Sequence, residues 1–233
     1  MTLPRPDLAG LTWPDVAEVA ASSLLVVPLG STEQHGPHLP FSTDTDVAVA
    51  LAARLAADRD DVVVAPAVPY GSSGEHAGFA GTLSIGAAAM ELVVLELVRS
   101  ADAFAGVVLV SGHGGNAAPV AAAVRTLLDE GRRVLAWSPR VEGGDAHAGR
   151  TETSLLLALS PASVQEARAE AGDTRPLAEV MGALRAGGVA SVSANGVLGD
   201  PTGASPAEGA ALLDAMAADL AAAVAGWRAG WLT

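Results

Sequence analysis

The fold is decided by the stretch at residues 23–29, SLLVVPL, a continuous apolar run that ends at Gly30. Three further short runs share this character and stand at residues 61–65 (DVVVA), 107–110 (VVLV) and 133–137 (RVLAW). Such runs do not alternate apolar with polar residues, which is typical of strands that are buried on both faces of a sheet. We therefore expect a mostly parallel sheet between layers of helices.

Helix-forming segments alternate with these strands along the chain. The predicted helices are rich in alanine and span residues 12–21, 44–57, 86–104, 116–130, 151–159 and 206–227. Residues 189–192 (VASV) are interpreted as one further short strand. The predicted fold class is α/β, a three-layer α/β/α single domain with a mostly parallel sheet that spans residues 1–233.

Composition and charge narrow the classes of function. Of the 233 residues, 50% are hydrophobic and 3% aromatic, so aliphatic side chains must fill the core. The net charge of −13 repels nucleic-acid phosphates and anionic lipids, and we expect neither nucleic acid nor a membrane as a partner. The chain has no cysteine, which excludes a thiol nucleophile and cysteine-bound metal. Residues 1–10 lack the pattern of a signal peptide, so a cytoplasmic location is expected.

Side chains capable of metal binding and acid–base chemistry follow all four predicted strands. Ligands of open parallel sheets bind outside the carboxyl ends of the strands, so these side chains are expected to form one common site. The set includes all five histidines of the chain. Its members in chain order are Glu33, His35, His38, Glu75, His76, His113, Asn116, His147 and Glu152.

The first of these segments reads GSTEQHGPHLP at residues 30–40 and STDTD at residues 42–46. Glu33 and His35 are two residues apart, which directs both side chains to one side of an extended loop. Asp44 stands where the next helix begins and faces the same crevice. Together these three residues are good ligands for Zn²⁺, Mn²⁺ or Fe²⁺. The alternative is a strand-end loop in which Asp44 only caps the helix.

Two glycine-rich segments carry the next candidates. In SGHGGN at residues 111–116, His113 follows the end of the third strand and is placed to reach a metal. A phosphate-binding loop is the alternative, but the GxGxxG spacing and a Walker lysine are missing. The segment YGSSGEHAGFAGT at residues 70–82 is predicted to form a substrate wall, with Ser73 in contact with the substrate. For His76, a contact between subunits is as good an interpretation as catalysis.

The last segment reads EGGDAHAGRTETS at residues 142–154. His147 is a candidate acid–base group because imidazole titrates near neutral pH, and an exposed loop histidine is the alternative. Glu152 is a candidate metal ligand, or else an acid in the first turn of a helix. Arg150 is a candidate clamp for a substrate carboxylate, and a surface salt bridge is the alternative.

Four of these segments together resemble the creatininase (creatinine amidohydrolase) family. They are PLGSTEQHGPHLPFSTDT, YGSSGEHAGFAGT, SGHGGN and HAGRTETS, and they stand in family order within residues 25–160. The resemblance implies an α/β/α fold, a two-metal site and a ring-like homo-oligomer, commonly a hexamer. It also implies that His147 is the catalytic histidine, that Asp44 bridges the two ions, and that the metal ligands are Glu33, His35, Asp44, His113 and one further acid.

The chain departs from the family pattern at Gly115, where creatininases carry a glutamate that binds the second metal. Glu152 is the predicted replacement for that carboxylate. The sequences of the segments SGHGGN and HAGRTETS resemble most closely those of the subgroup associated with mycofactocin biosynthesis. Members of that subgroup are peptidases that release the C-terminal Val-Tyr dipeptide from the precursor peptide.

The predicted function is therefore hydrolysis of a peptide amide bond with two divalent ions per subunit, Zn²⁺, Fe²⁺ or Mn²⁺. Two other functions remain open. The first is hydrolysis of a small cyclic amide or a formamide, as in creatinine. The second is a non-catalytic, metal-binding scaffold protein.

Overall fold

The centre of the computed structural model, which describes residues 7–231, is a four-stranded parallel sheet. Its strands are β1 (Leu24–Leu29), β2 (Val62–Val64), β3 (Gly106–Ser111) and β4 (Val134–Trp137). They lie in the order β2-β1-β3-β4, and each neighbouring pair is parallel. Because β1 and β3 pair over their full length, their carboxyl ends lie side by side in the middle of the sheet.

Within residues 7–231, seven α-helices surround this sheet, and one follows each strand. They are α1 (Trp13–Val19), α2 (Thr43–Ala57), α3 (Gly86–Ser100), α4 (Ala117–Asp129), α5 (Arg150–Leu159), α6 (Leu177–Gly187) and α7 (Pro206–Ala229). Helix α2 joins β1 to β2, α3 joins β2 to β3, and α4 joins β3 to β4. Helical crossovers of this kind are what parallel strands require.

Successive residues of each strand face two separate cores. On β1, Leu24 and Val26 pack into the core that also holds buried residues of α2, α5 and α7. Leu25 and Val27 point to the opposite face, into the core that holds buried residues of α3 and α4. The sheet is therefore covered on both faces, and the predicted three-layer α/β/α architecture is confirmed.

The predicted strand at residues 189–192 is wrong. Gly188 ends α6 with a φ of 69°, and the chain then forms a 3₁₀ turn over Val189–Ser191. The amides of Val192 and Ser193 donate to the carbonyl of Val189, at 3.0 and 2.8 Å. These backbone groups are thus satisfied locally, and the apolar pattern reflects only the burial of Val189.

Helix α7 is long and apolar enough, by length and composition alone, to cross a membrane. In the fold it is a layer helix, since Leu213, Leu220 and Val224 are buried in the core against α2 and α5. Of the N-terminal stretch 1–10, residues 1–6 lie outside the described part of the chain.

Candidate active site

The loops that follow the four strands bring carboxylates and imidazoles together at the carboxyl edge of the sheet. Glu33 and His35 come from the loop after β1, and Asp44 from the first turn of α2. His113 lies two residues after the end of β3, and Glu152 lies in the first turn of α5. Among residues 7–231, three groups have ligand atoms within 4.8 Å of one another: Glu33/His35/His147, Glu33/Asp44/His113 and His35/Asp44/Glu152.

Asp44 stands at the centre of this cluster, and its two oxygens face different imidazoles. Oδ2 lies 3.1 Å from Nδ1 of His113, and Oδ1 lies 3.2 Å from Nε2 of His35. The hydroxyl of Ser31 donates to Oδ2 at 2.7 Å and fixes the carboxylate in place. Asp44 therefore joins two neighbouring sub-sites. We call the set Glu33, Asp44 and His113 the first sub-site, and the set His35, Asp44 and Glu152 the second.

Backbone carbonyls orient both imidazoles. Nδ1–H of His35 donates to the carbonyl of Glu33 at 3.1 Å, which leaves Nε2 facing Asp44. Nε2–H of His113 donates to the carbonyl of Ser72 at 3.0 Å, which leaves Nδ1 facing Asp44. Metal-binding histidines are typically held in this way, with one nitrogen donating to the protein and the other free to coordinate.

The donor set fits divalent cations. Three carboxylates and two oriented imidazoles are the ligands that Zn²⁺, Fe²⁺ and Mn²⁺ share. Oε2 of Glu33 is buried and has no hydrogen-bond partner among the described residues, although Nε2 of His113 is 3.3 Å away. A buried carboxylate oxygen without a partner is costly unless a cation binds it.

Charge interactions within the cluster are strong. Burial opposes the charge on His35, but the carboxylate of Asp44, with Glu152 and Glu33, outweighs burial and raises the pKa of His35 to about 9. Burial likewise opposes the charge on His113, but the nearby carboxylates of Asp44 and Glu33 outweigh burial and raise its pKa to about 11. Without metal, both rings are protonated on both nitrogens and positively charged at neutral pH. A bound cation would take the place of those protons.

His147 is also buried, but its electrostatic state is the opposite. Burial, with the charges of His35 and His76, holds the pKa of His147 well below its usual range, so the ring is neutral. Nε2–H donates to the carbonyl of Gln34 at 2.8 Å. The lone pair of Nδ1 then faces the site, 3.9 Å from Oε1 of Glu33. The ring is thus set as a proton acceptor.

Glu152 reaches the second sub-site because the chain turns sharply before α5. Ala148 has a φ of 52°, in the left-handed region, and its amide donates to Oε2 of Glu152 at 2.5 Å. The same oxygen lies 3.9 Å from Nε2 of His35. Burial, opposed by the charge of His35, raises the pKa of Glu152 to about 7. The strained residue Ala148 thus lies between His147 and Glu152, the two functional residues of this loop.

Glu152, the predicted replacement for the carboxylate missing at Gly115, belongs to the second sub-site. Glu152 lies beside His35, on the Oδ1 side of Asp44, and does not fill the space beside His113. The carboxylate next to that space belongs to Glu75, whose Oε1 is 2.5 Å from where a Cβ on Gly115 would stand. The position of Glu75 depends on how the loop after β2 packs across β3, which residue spacing does not reveal.

Two residues that were predicted to contact the substrate do not line the cavity at the cluster. A cavity of about 400 Å³ opens onto the cluster, and neither Ser73 nor Arg150 lines it. Ser73 is buried, and its hydroxyl lies 3.4 Å from Nε2 of His113. Arg150 pairs with Glu208 at 2.8 Å and lines a neighbouring cavity of about 500 Å³.

Of the two remaining histidines, one lies within the site and the other links a loop of the site to α5. His76 lies inside the site, with Nε2 3.2 Å from Oε1 of Glu33. His38 points away from it and contacts the hydroxyl of Thr153 at 2.9 Å, which ties the first loop to α5.

Gln34 is a functional residue that sequence reasoning missed. Its amide nitrogen is 2.9 Å from Nδ1 of His76 and donates to the carbonyl of Gly196 at 3.1 Å. Because a carbonyl oxygen can only accept, Nε2–H of His147 is the donor to the backbone of Gln34. Its place between Glu33 and His35 was the only signal available in the sequence.

Comparison with known proteins gives a consistent set of relatives. The family model Creatininase, described as creatinine amidohydrolase, matches residues 9–224. A mycofactocin precursor peptide peptidase of Mycolicibacterium smegmatis is 51% identical over 213 residues, which cover 88% of this chain and 85% of that protein. A protein of the same name from Mycobacterium tuberculosis is 49% identical over 219 residues, covering 89% of this chain and 87% of its own.

Creatininases are similar at lower identity. A creatinine amidohydrolase of Pseudomonas putida is 30% identical over 184 residues, which cover 65% of this chain and 70% of that protein. A crystal structure of creatinine amidohydrolase superposes with a TM-score of 0.79 at 26% identity, covering 95% of this chain and 97% of that chain. A manganese creatininase gives a TM-score of 0.78 at 27% identity, covering 94% and 96%.

Proposed function

The chain belongs to the creatininase family and hydrolyses amide bonds, and we propose that its substrate is the mycofactocin precursor peptide, from which it releases the C-terminal Val-Tyr dipeptide. The observation that carries the chemistry is the position of Asp44 between two imidazoles, with the neutral ring of His147 beside it. The choice of substrate is supported by relatives about half identical over most of the chain.

We propose that two divalent ions bind, one at each sub-site. Glu33, Asp44 and His113 would hold one ion, and His35, Asp44 and Glu152 the other. Such ions supply a Lewis acid for the substrate carbonyl and lower the pKa of water towards ~7. Zn²⁺, Fe²⁺ and Mn²⁺ all suit these ligands, and the similar manganese creatininase is consistent with that set.

His147 moves the proton in this proposal. Its Nδ1 takes a proton from the attacking water, while the hydrogen bond from Nε2–H to Gln34 holds the ring in position. Because burial and nearby positive charge lower the pKa of His147, the protonated ring readily returns its proton to the leaving amine. Loss of that proton restores the neutral ring for the next turnover.

The shape of the cavity favours a peptide over creatinine. Its volume of about 400 Å³ is bounded on one side by the cluster and on the other by apolar residues of α6, among them Leu177, Met181 and Leu184. An apolar wall facing the reacting groups suits a dipeptide with a valine and an aromatic side chain.

We further propose a cytoplasmic homo-oligomer, a hexamer or a similar ring. Tyr70, Leu83 and Ile85 are exposed large apolar residues on the loop that follows β2, next to the site. Apolar side chains at such a position are a common mark of an interface between subunits.

Removal and replacement of metal tests the proposed function. The chelator-treated protein is reloaded separately with Zn²⁺, Fe²⁺ and Mn²⁺ and given either a short peptide ending in Val-Tyr or creatinine. The proposal predicts cleavage of the peptide only in reloaded samples. Turnover of creatinine alone would favour the small-amide alternative, and metal binding without hydrolysis of either would favour the scaffold.

A further inference from the structure

Glu75 is a carboxylate of the site that neither sub-site uses. It lies in the short 3₁₀ turn Gly74–His76 after β2 and is half-buried. It lines the same cavity as Glu33, Asp44 and His113. No hydrogen bond or ion pair with another side chain engages its carboxylate within residues 7–231.

The carboxylate of Glu75 lies beside the position that a side chain at residue 115 would occupy, next to His113. A Cβ on Gly115 would stand 2.4 Å from Nε2 of His113, 2.5 Å from Oε1 of Glu75 and 2.3 Å from the carbonyl oxygen of Ser72. Position 115 is therefore closed to any side chain, and the carboxylate of Glu75 and the imidazole of His113 are close neighbours across it.

The backbone of Glu75 is held from the other side. A Cβ on Gly188, the residue that ends α6, would lie 2.6 Å from the carbonyl oxygen of Glu75. This close approach of α6 to the turn fixes where the side chain starts. Packing on both flanks thus holds the carboxylate near Nε2 of His113, at the border of the first sub-site.

We infer that Glu75 is a further carboxylate donor of the first sub-site, bound to the cation that Glu33, Asp44 and His113 hold. This rests on the proposed metal binding and adds a ligand that none of the three clusters contains. A cation at the first sub-site would neutralise the carboxylates that line this cavity together.

Metal titration of Glu75→Gln tests the inference without any substrate. Glu142→Gln is the matched control, because Glu142 is an exposed loop glutamate. Isothermal titration of the chelator-treated full chain with Zn²⁺ should show one binding event weakened by ~10–100-fold in Glu75→Gln and no change in Glu142→Gln. An isotherm of Glu75→Gln identical to wild type would overturn the inference.

Thermal melting separates ligation from a structural role. The Zn²⁺-loaded Glu75→Gln variant should melt below loaded wild type because a ligand of the ion is gone, and this difference should exceed any difference between the two metal-free proteins. An equal loss in both states, with unchanged Zn²⁺ affinity, would show that Glu75 only supports the fold. Neither measurement uses peptide, so failure here is distinct from failure of the proposed substrate.

A second observation, on α6, concerns the substrate itself. Arg185 lines the cavity beside Met181 and Leu184, and it makes no ion pair within the described chain. Residues 177, 181, 184 and 185 share one face of the helix by their spacing. The cavity thus has carboxylates and imidazoles on one side, and an apolar face with a free guanidinium on the other.

On the basis of the proposed peptidase function, we infer that Arg185 binds the C-terminal carboxylate of the substrate. Glu33, Asp44, Glu75 and Glu152 line the same cavity and would repel an anionic peptide end. A guanidinium can hold a carboxylate through two parallel hydrogen bonds. Arg150, the clamp expected from the sequence, is already paired with Glu208.

Two peptides that differ only at their C-terminus test this inference. Arg185→Met keeps the apolar stem and removes the charge, and Arg125→Met on α4 is the control. With the free acid ending in Val-Tyr, Arg185→Met should raise KM by roughly 10-fold or more and change kcat little. With the C-terminal amide, wild type should already show the raised KM, and the variant should add nothing.

An equal effect on both peptides, or none on either, would overturn the role of Arg185. Wild type that cleaves neither peptide would instead contradict the proposed function, and the role of Arg185 with it.

Discussion

Among single residues, His147 and His113 are both buried imidazoles but have different tasks. Nδ1 of His113 contacts Asp44 at 3.1 Å, whereas Nδ1 of His147 is 3.9 Å from the nearest oxygen of Glu33. We predict that His147→Ala keeps its metal and lowers turnover by ~10²–10⁴-fold, the usual scale of acid–base catalysis. His113→Ala should lose metal from the first sub-site. Metal analysis and peptide cleavage on both variants check this.

Equal loss of metal in the two variants would make His147 a ligand, which its place in the Glu33/His35/His147 group allows. Full activity of His147→Ala would assign proton transfer to another group.

Protonation of His35 and His113 predicts how the stability of the metal-free protein depends on pH. Their pKa values, about 9 and about 11, are raised above the ordinary value of 6.5. The stabilisation from their carboxylate contacts is therefore complete below pH 6.5 and is lost as pH rises through 9 towards 11. Urea midpoints of chelated protein should fall over that range, and metal-loaded protein should resist the fall. A midpoint of chelated protein that rises with pH would contradict this.

At the scale of secondary-structure elements, the stability of the fold depends on close packing between helices α5 and α7. A Cβ on Gly209 would lie 1.8 Å from the carbonyl oxygen of Ser154, so the two helices meet at this glycine. We predict that Gly209→Ala destabilises the fold by about 1–3 kcal/mol through overpacking. Gly226, in the same helix, has open space around it, and Gly226→Ala should stabilise by about 0.5–1 kcal/mol. Urea unfolding of both variants gives the comparison, and equal effects would contradict it.

At this scale the sequence predicts most of the fold. Apolar runs without alternation locate β1 to β4, because parallel strands buried on both faces have no polar side to show. The same signal fails at residues 189–192. There Val189 is buried as a strand residue would be, but the backbone forms hydrogen bonds within a local turn. Strand order was not predictable, since it depends on which edges pair after the helices pack.

The site was predictable only in part. Glu33, His35, Asp44, His113, His147 and Glu152 all follow strands, so topology alone brings them to one edge. The contacts of Gln34 and the roles proposed for Glu75 and Arg185 depend on how side chains are oriented, which is set by the packing of the loops around the site and of α6 at the cavity. Spacing along the chain carries no information about such contacts.

For the whole molecule, the proposed assembly makes a direct prediction. Leu83 is 53% exposed and Ile85 36% exposed on the loop beside the site. If this loop contacts another subunit, Leu83→Asp should shift the sedimentation coefficient from that of a ring towards that of a monomer, because burying a new charge opposes association. A wild-type chain that sediments as a stable monomer at micromolar concentration would contradict the proposed oligomer.

The most direct test of the account is mass spectrometry of a precursor-like peptide ending in Val-Tyr, after incubation with metal-loaded protein. The two sub-sites joined by Asp44, with a neutral His147 beside them, predict metal-dependent hydrolysis. The proposed substrate predicts a single cut that frees the intact dipeptide and leaves the rest of the peptide whole. Chelated protein and His147→Ala should show little or none of it. An uncut peptide in the loaded sample, beside rapid hydrolysis of creatinine by the same sample, would contradict the account.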